Sequence, residues 1–254
     1  MTELVELNSK KHQELRVKPN CKIELASTQQ IMKLRVTETS KAVTSFPVFF
    51  SRDQRTGGWV LSALTSLEKG SNLFVKKNQW DSSFQPSSMQ TYPLFLMQSE
   101  QQDNSFTFGV MEQSDAFSKE LGEPLFDNNR RPSLYLSRMQ KLLEADIKND
   151  IETIKFSQKL VELDLLKSIS LSIQYQDDSA QNLNGLHSIN EDKLHALNAQ
   201  QLDELNKLGY LIPIHAMLIS IYQLNKLVRK HNGLQSLKPI KQLKIEVARD
   251  RTIS

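Results

Sequence analysis

Five histidines (His12, His187, His195, His215 and His231) and one cysteine, Cys21, are the side chains best suited to acid–base, nucleophilic or metal chemistry near neutral pH. No two histidines stand at HExxH or another metal-binding spacing, and one cysteine cannot complete a zinc site. Cys21 lies in "PNCKIEL" with no histidine beside it, which predicts a buried or half-buried thiol rather than a nucleophile. A lone cysteine also excludes an internal disulfide and fits a reducing compartment. His215 stands one position beside an apolar stripe and is expected to be a packed, hydrogen-bonded histidine. The chain has no GxSxG elbow, no GxxxxGK phosphate loop and no GxGxxG fingerprint. A hydrolase or nucleotide enzyme built on a linear motif is therefore disfavoured, and no metal, flavin or nucleotide cofactor is expected. "AQNLNGLHSINE", Ala180–Glu191, matches a calcium loop at Asn182, Asn184, Gly185 and Glu191, but Ala180 stands where the first carboxylate belongs. The alternative for this segment is a hairpin followed by a helix that Asn190 caps.

The other concentration of unusual residues is "QWDSSFQPSSMQTYPLF", Gln79–Phe95, which gathers Trp80, Phe84, Tyr92 and Phe95 around Pro86 and Pro93 with one charged residue, Asp81. Two readings follow. As a core, the aromatics fill volume and the prolines set turns. As the wall of a groove, Trp80 and Tyr92 stack on a ligand while Asn72, Gln85 and Gln90 offer amides. That combination suits a neutral, hydrogen-bonding segment of peptide or glycan. If the protein is instead an enzyme with dispersed residues acting on such a segment, the acid–base candidates near this stretch are Asp81, Tyr92 and Glu123.

The elements that must position these residues divide the chain in two. "SFPVFFS" and "WVLSALTS" flank the turn-forming "RDQRTGG" and predict a hairpin. "NLFVKK" and "SFTFGVM" are further strand candidates, and "PSSMQTYP" predicts a short helical turn between its two prolines. The second half is mostly helical. Met139, Leu143, Ile147, Ile151, Ile154, Val161 and Leu165 follow a helical period, predicting a helix or a broken pair over 133–166. "SISLSIQY" alternates as a strand, with "GLHSI" as its hairpin partner. Asn198 and Gln201 stand at capping-box spacing, and Gly209 suits the left-handed residue that ends that helix. A further helix near Pro213 carries Ile214, Met217, Leu218, Ile221, Leu224 and Val228 as one stripe. The fold class expected is α+β: a mainly antiparallel sheet with helices packed on it, in a single domain.

Composition sets outer bounds. The 254 residues are 39% hydrophobic and 24% charged, ordinary for a folded protein able to bury a sizeable core. Residues 232–254 hold five basic and two acidic side chains, which accounts for the whole net charge of +3. The body is neutral, so no field for nucleic acid is expected, and 232–254 is set apart as a basic C-terminal extension to a 1–231 domain. The longest apolar run, "YLIPIHAMLISIY", falls short of the roughly 20 residues a bilayer crossing needs. No secretory signal opens the sequence, so no membrane span and a cytoplasmic location are expected.

Several phrases in order make the chain resemble the SapC family, named from a bacterial surface-layer locus and distinct from the peptide-transport permease of that name. They are "LNSKKHQELRV", "FPVFFSR", "LEKGSNLFVKKNQWDSSFQPSSMQTYPLFL", "ELGEPLFDNN", "GLHSINEDKLHAL" and "LGYLIPIHAMLISIYQL", running from about Leu7 to His231. The third is similar to the family signature at Asn72, Leu73, Phe74, Trp80, Pro86, Tyr92 and Pro93. It departs at Phe84, where members more often carry Tyr, and the stretch after His231 is outside the resemblance. The resemblance implies association with the surface layer and its export, in gene neighbourhoods holding TonB-dependent receptors, halogenase-like and cupin-like proteins. It implies no catalytic set. The expectation is a non-enzymatic accessory or binding protein with a protein or peptide partner, its ligand-binding candidates being Asn72, Phe74, Trp80, Tyr92 and Pro93.

Overall fold

The computed structural model describes residues 4–53, 56–98 and 106–247; Gln54 and Arg55 of the turn cluster, and Arg249, Asp250 and Arg251 of the expected extension, lie outside them. The principal sheet has six strands: β1 (Ile31–Lys33), β2 (Val48–Arg52), β3 (Trp59–Leu64), β4 (Leu166–Tyr175), β5 (Ala180–Ile189) and β6 (Ile240–Val247). Their order is β6-β4-β5-β2-β3-β1, with every neighbouring pair antiparallel. Both expected hairpins form. β2 and β3 pair from Val48 opposite Ala63 to Arg52 opposite Trp59, and β4 and β5 pair from Leu166 opposite Ile189 onward. The segment weighed as a calcium loop is strand β5, whose side chains are strung along an extended backbone instead of curling round a centre. Asn190 then caps the next helix by accepting the Lys193 N–H.

Two smaller three-stranded sheets lie elsewhere in the molecule. One joins Val5–Glu6, Phe106–Val110 and Leu94–Gln98; the other joins Phe117–Ser118, Arg16–Val17 and Glu123–Pro124. The sequence marks the Phe106 strand but not its partner Leu94–Gln98. The segment from 232, set apart as an extension, supplies the β6 edge of the principal sheet. Leu243, Ile245 and Val247 alternate as a strand should, but the excess of basic residues over 232–254 reads as a solvated tail.

Four helices of nine residues or more are present among the described residues: α1 (Leu134–Glu162), α2 (Ala199–Lys207), α3 (Leu211–Ser220) and α4 (Gln223–Asn232). Ser133 starts α1 by accepting the Leu136 N–H, and Asn198 and Gln201 form the expected capping box on α2. Gly209 takes the left-handed backbone (φ +73°) that ends α2. The stripe from Ile214 to Val228 belongs to two helices, broken at Ile221–Tyr222, with Ile214, Met217, Leu224 and Leu227 buried. Leu211–Asn232 together are apolar enough by composition to cross a membrane (mean hydropathy 1.3), but these inward residues are part of the core. His215, expected to be packed, is on the exposed side of α3; the buried histidines are His12 and His231.

α1 is the spine. At about 1.5 Å per residue, its 29 residues reach about 43 Å. Leu136, Met139 and Leu143 near its start pack with Leu94, Val110, Phe117 and Leu125 in one apolar cluster. Phe156 and Leu160 near its end join the larger cluster built on the six-stranded sheet and α2–α4. Between them the helix buries polar side chains, Asp146 and Thr153. The expected stripe is accordingly wrong in its second half: Ile151, Ile154 and Val161 are 46%, 54% and 47% exposed. The face that is buried follows Leu136, Met139, Leu143, Asp146, Thr153, Ser157 and Leu160, and its middle is polar because an arginine from a distant segment meets it there.

Candidate binding site

That arginine is Arg35, just after β1 and 6% exposed. Its guanidinium lies 3.1 Å from Asp146 and 3.2 Å from Asp150, and donates to the Ser87 hydroxyl at 2.5 Å. Glu38 accepts the backbone N–H groups of both Arg35 and Ser87, and Thr153 accepts that of Val36. Burial pushes the carboxyl of Asp146 above its ordinary range, and Arg35 offsets only part of that rise. Lys33 closes the group at 3.0 Å from Asp150. The short helix Ser87–Thr91 is thereby fastened to the segment after β1 and to the middle of α1.

The aromatic signature surrounds this junction, and its members part company. Phe74 is fully buried, 4.4 Å from Phe46 centre to centre. The Asn72 amide donates to the Ala26 carbonyl and accepts the Phe74 N–H. Trp80 is half-buried, packs against the larger cluster and against Ala26, Met32 and Met89, and donates its indole N–H to the Phe84 carbonyl at 2.8 Å. Asp81 pairs with Lys76 and Lys230, whose ammonium also sits 4.6 Å over the Phe74 ring. Those cations hold the Asp81 carboxyl below its usual range. Tyr92 belongs to the other cluster, its hydroxyl 3.1 Å from Ser114, and Pro93 is buried beside it. Asn72, Phe74, Trp80, Tyr92 and Pro93 thus lie along the seam between two cores, and none of them lines any of the five concavities described.

Gln85 and Glu123 meet at one of those concavities, about 380 Å³, against Cys21 and Tyr135. Burial pushes the Cys21 thiol up and the Tyr135 phenol to about 12, so both stay protonated at neutral pH. His12, which contacts Glu112 at 2.5 Å, uses its other ring nitrogen to accept the Asn8 N–H and so closes its own turn.

The largest of these five concavities, about 470 Å³, lies between the exposed side of α1 and the β2–β3 hairpin. Lys33, Trp59, Leu61, Asp150, Ile154 and Gln158 line it. The Trp59 ring is fixed in place, with the Arg52 guanidinium 3.6 Å from one ring centroid and His187 edge-on at 4.7 Å. Two carboxylates reach this cleft, and both are engaged: Asp150 by Lys33 and Arg35, Asp53 by the N–H and hydroxyl of Thr56. Gln158 is exposed and its amide makes no hydrogen bond among the described residues. No histidine lines it. An apolar floor, a rigid indole and an unused amide match a segment that carries C–H surface and polar edges together. Sequence reasoning missed this cleft because its walls come from three separated segments, and Trp59 carries only the signal of a strand start.

The SapC family model matches residues 7–227 of the chain. No curated protein and no solved structure matches it.

Proposed function

Since the chain belongs to the SapC family, we propose that it is a non-enzymatic binding protein, accessory to surface-layer, outer-membrane receptor or modifying-enzyme systems. It works in the cytoplasm and recognises a short peptide or glycan segment of a partner in the cleft between Trp59 and α1. One observation carries this reading: both carboxylates that reach the cleft are already satisfied by internal partners, while the cleft is lined by the Trp59 indole and by a Gln158 amide that makes no hydrogen bond among the described residues. Acid–base chemistry needs a group poised to exchange a proton with substrate, and Asp150 is instead engaged by Lys33 and Arg35. Of the seam residues, Asn72 and Trp80 serve the same function indirectly, by packing against Met32 of β1, next to Lys33.

Arrays of short peptides and of glycans, probed with the purified full chain, test the proposal. A defined set of binders is expected, and Ile154→Arg, which fills the cleft from an exposed position, abolishes their capture without lowering the melting temperature. Capture that survives Ile154→Arg contradicts the site. Cleavage or modification of a captured segment contradicts the non-enzymatic reading and returns attention to Asp81, Tyr92 and Glu123.

A further inference from the structure

β6 is an edge strand of eight residues that pairs with β4 on one side and with nothing described on the other. The opposite edge of the sheet, β1, has only three residues. Long unpaired edges are usually shortened, covered or broken, because their free N–H and C=O groups invite another strand. The β6 side chains carry the same message. Ile169, Leu171 and Ile173 of β4 are buried, and across the ladder they stand opposite Val247, Ile245 and Leu243. Directly opposed residues share a face, so the apolar row of the core continues onto β6. There the cover gives out: Ile245 is 41% and Val247 69% exposed.

We propose that a second copy of this chain covers the edge, β6 pairing antiparallel with its own equivalent about a two-fold axis normal to the sheet. Such an axis keeps the two core faces on one side, so a residue of the Leu243–Ile245–Val247 row can stand opposite only another member of that side. Few registers remain. Centring on Lys244 or on Glu246 sets like charges opposite each other at the axis. Centring on Ile245 sets Ile245 against itself, Leu243 against Val247, and Lys244 against Glu246 twice over. Every pair among residues 243–247 in that register is apolar with apolar or cation with anion. The start of the strand is already held in place, since Lys238 pairs with Asp177 and Lys241 with Asp178 in the β4–β5 turn. This proposal is independent of the cleft reading, which needs only one copy.

Sedimentation velocity of the full chain tests it through a charge swap. Wild type is expected to be a dimer at micromolar concentration. Lys244→Glu and Glu246→Lys each set two like-charge pairs across the axis and raise the dimer dissociation constant about tenfold or more. The double variant Lys244→Glu/Glu246→Lys restores the dimer, and no purely structural role for these exposed side chains produces that rescue. Unchanged melting temperatures of the three variants keep the readout on association. A wild-type monomer, a dimer indifferent to both single changes, or a double variant as weak as the singles would each overturn the proposal.

Discussion

Arg35 is the side chain on which most depends, because its charge is taken out of water and is compensated by Asp146, Asp150 and Ser87 together. Removing one member of such a group leaves a buried charge without its partner, which costs about 3–5 kcal/mol, whereas replacing both by apolar residues is close to neutral. Arg35→Met should therefore destabilise the protein by about that amount in chemical denaturation, and Arg35→Met/Asp146→Leu should recover most of the loss. Trp80→Ala should cost about 3 kcal/mol, the low end for a tryptophan because the ring is half-buried, and should leave capture on the cleft intact in whatever fraction folds. Residue types alone marked Trp80, Tyr92 and Asn72 as important but could not say whether as core or as groove. What separates the two readings is which groups meet them, and Ala26, Phe46 and Ser114 are 22 to 46 positions away in the chain from the residues they meet. Arg35 left no signal at all, since one arginine among 32 basic residues has no motif to distinguish it.

At the scale of elements, the features decided locally were the ones legible in advance. Ser133, Asn198 and Gly209 act within four residues of themselves, so the start of α1 and both ends of α2 were placed from sequence. Ser133→Ala should accordingly cost about 1 kcal/mol, or somewhat more because the same hydroxyl also donates to the Pro124 carbonyl at 2.6 Å. A denaturant midpoint measured beside that of Ser137→Ala, whose residue lies inside the helix, checks the difference. The face that α1 buries was not legible, because periodicity counts apolar residues, and the middle of this helix turns Asp146 and Thr153 inward while exposing Ile151 and Ile154. Strand β6 escaped although Leu243, Ile245 and Val247 alternate, because the net positive charge of 232–254 reads as a solvated tail. Its attachment depends on charge. Lys238 and the Ser179 hydroxyl and N–H hold Asp177 down to about 2 from an ordinary 3.8. A depressed carboxyl stabilises the folded state fully above the unfolded value, and that contribution drains away as pH falls from about 4 towards 2. The denaturation midpoint of wild type should thus fall more steeply over that window than that of Asp177→Asn.

Across the whole molecule, α1 lets two apolar clusters act as one body, and the polar patch at its centre is where the segment after β1, the Ser87–Thr91 helix and the sheet are fastened together. The cleft opens beside that patch, so its Lys33 and Asp150 are set by the most constrained part of the fold, while Gln158 and Ile154 face outward from the rigid helix. The α+β architecture and the antiparallel pairing could be read from the sequence because they rest on alternation along single strands. The cleft could not, because it exists only once β1, β2–β3 and α1 have been brought together. The central claim is that ligand meets the Trp59 wall. Trp80→Phe leaves Trp59 as the one tryptophan of the chain, so emission of that variant, titrated with the strongest peptide or glycan from the arrays, reports on the cleft alone. The account predicts a saturable change in Trp59 emission, with Gln158→Ala raising the apparent Kd about fivefold through loss of one hydrogen bond. Saturable binding by another readout with Trp59 emission unmoved and Gln158→Ala without effect would contradict it.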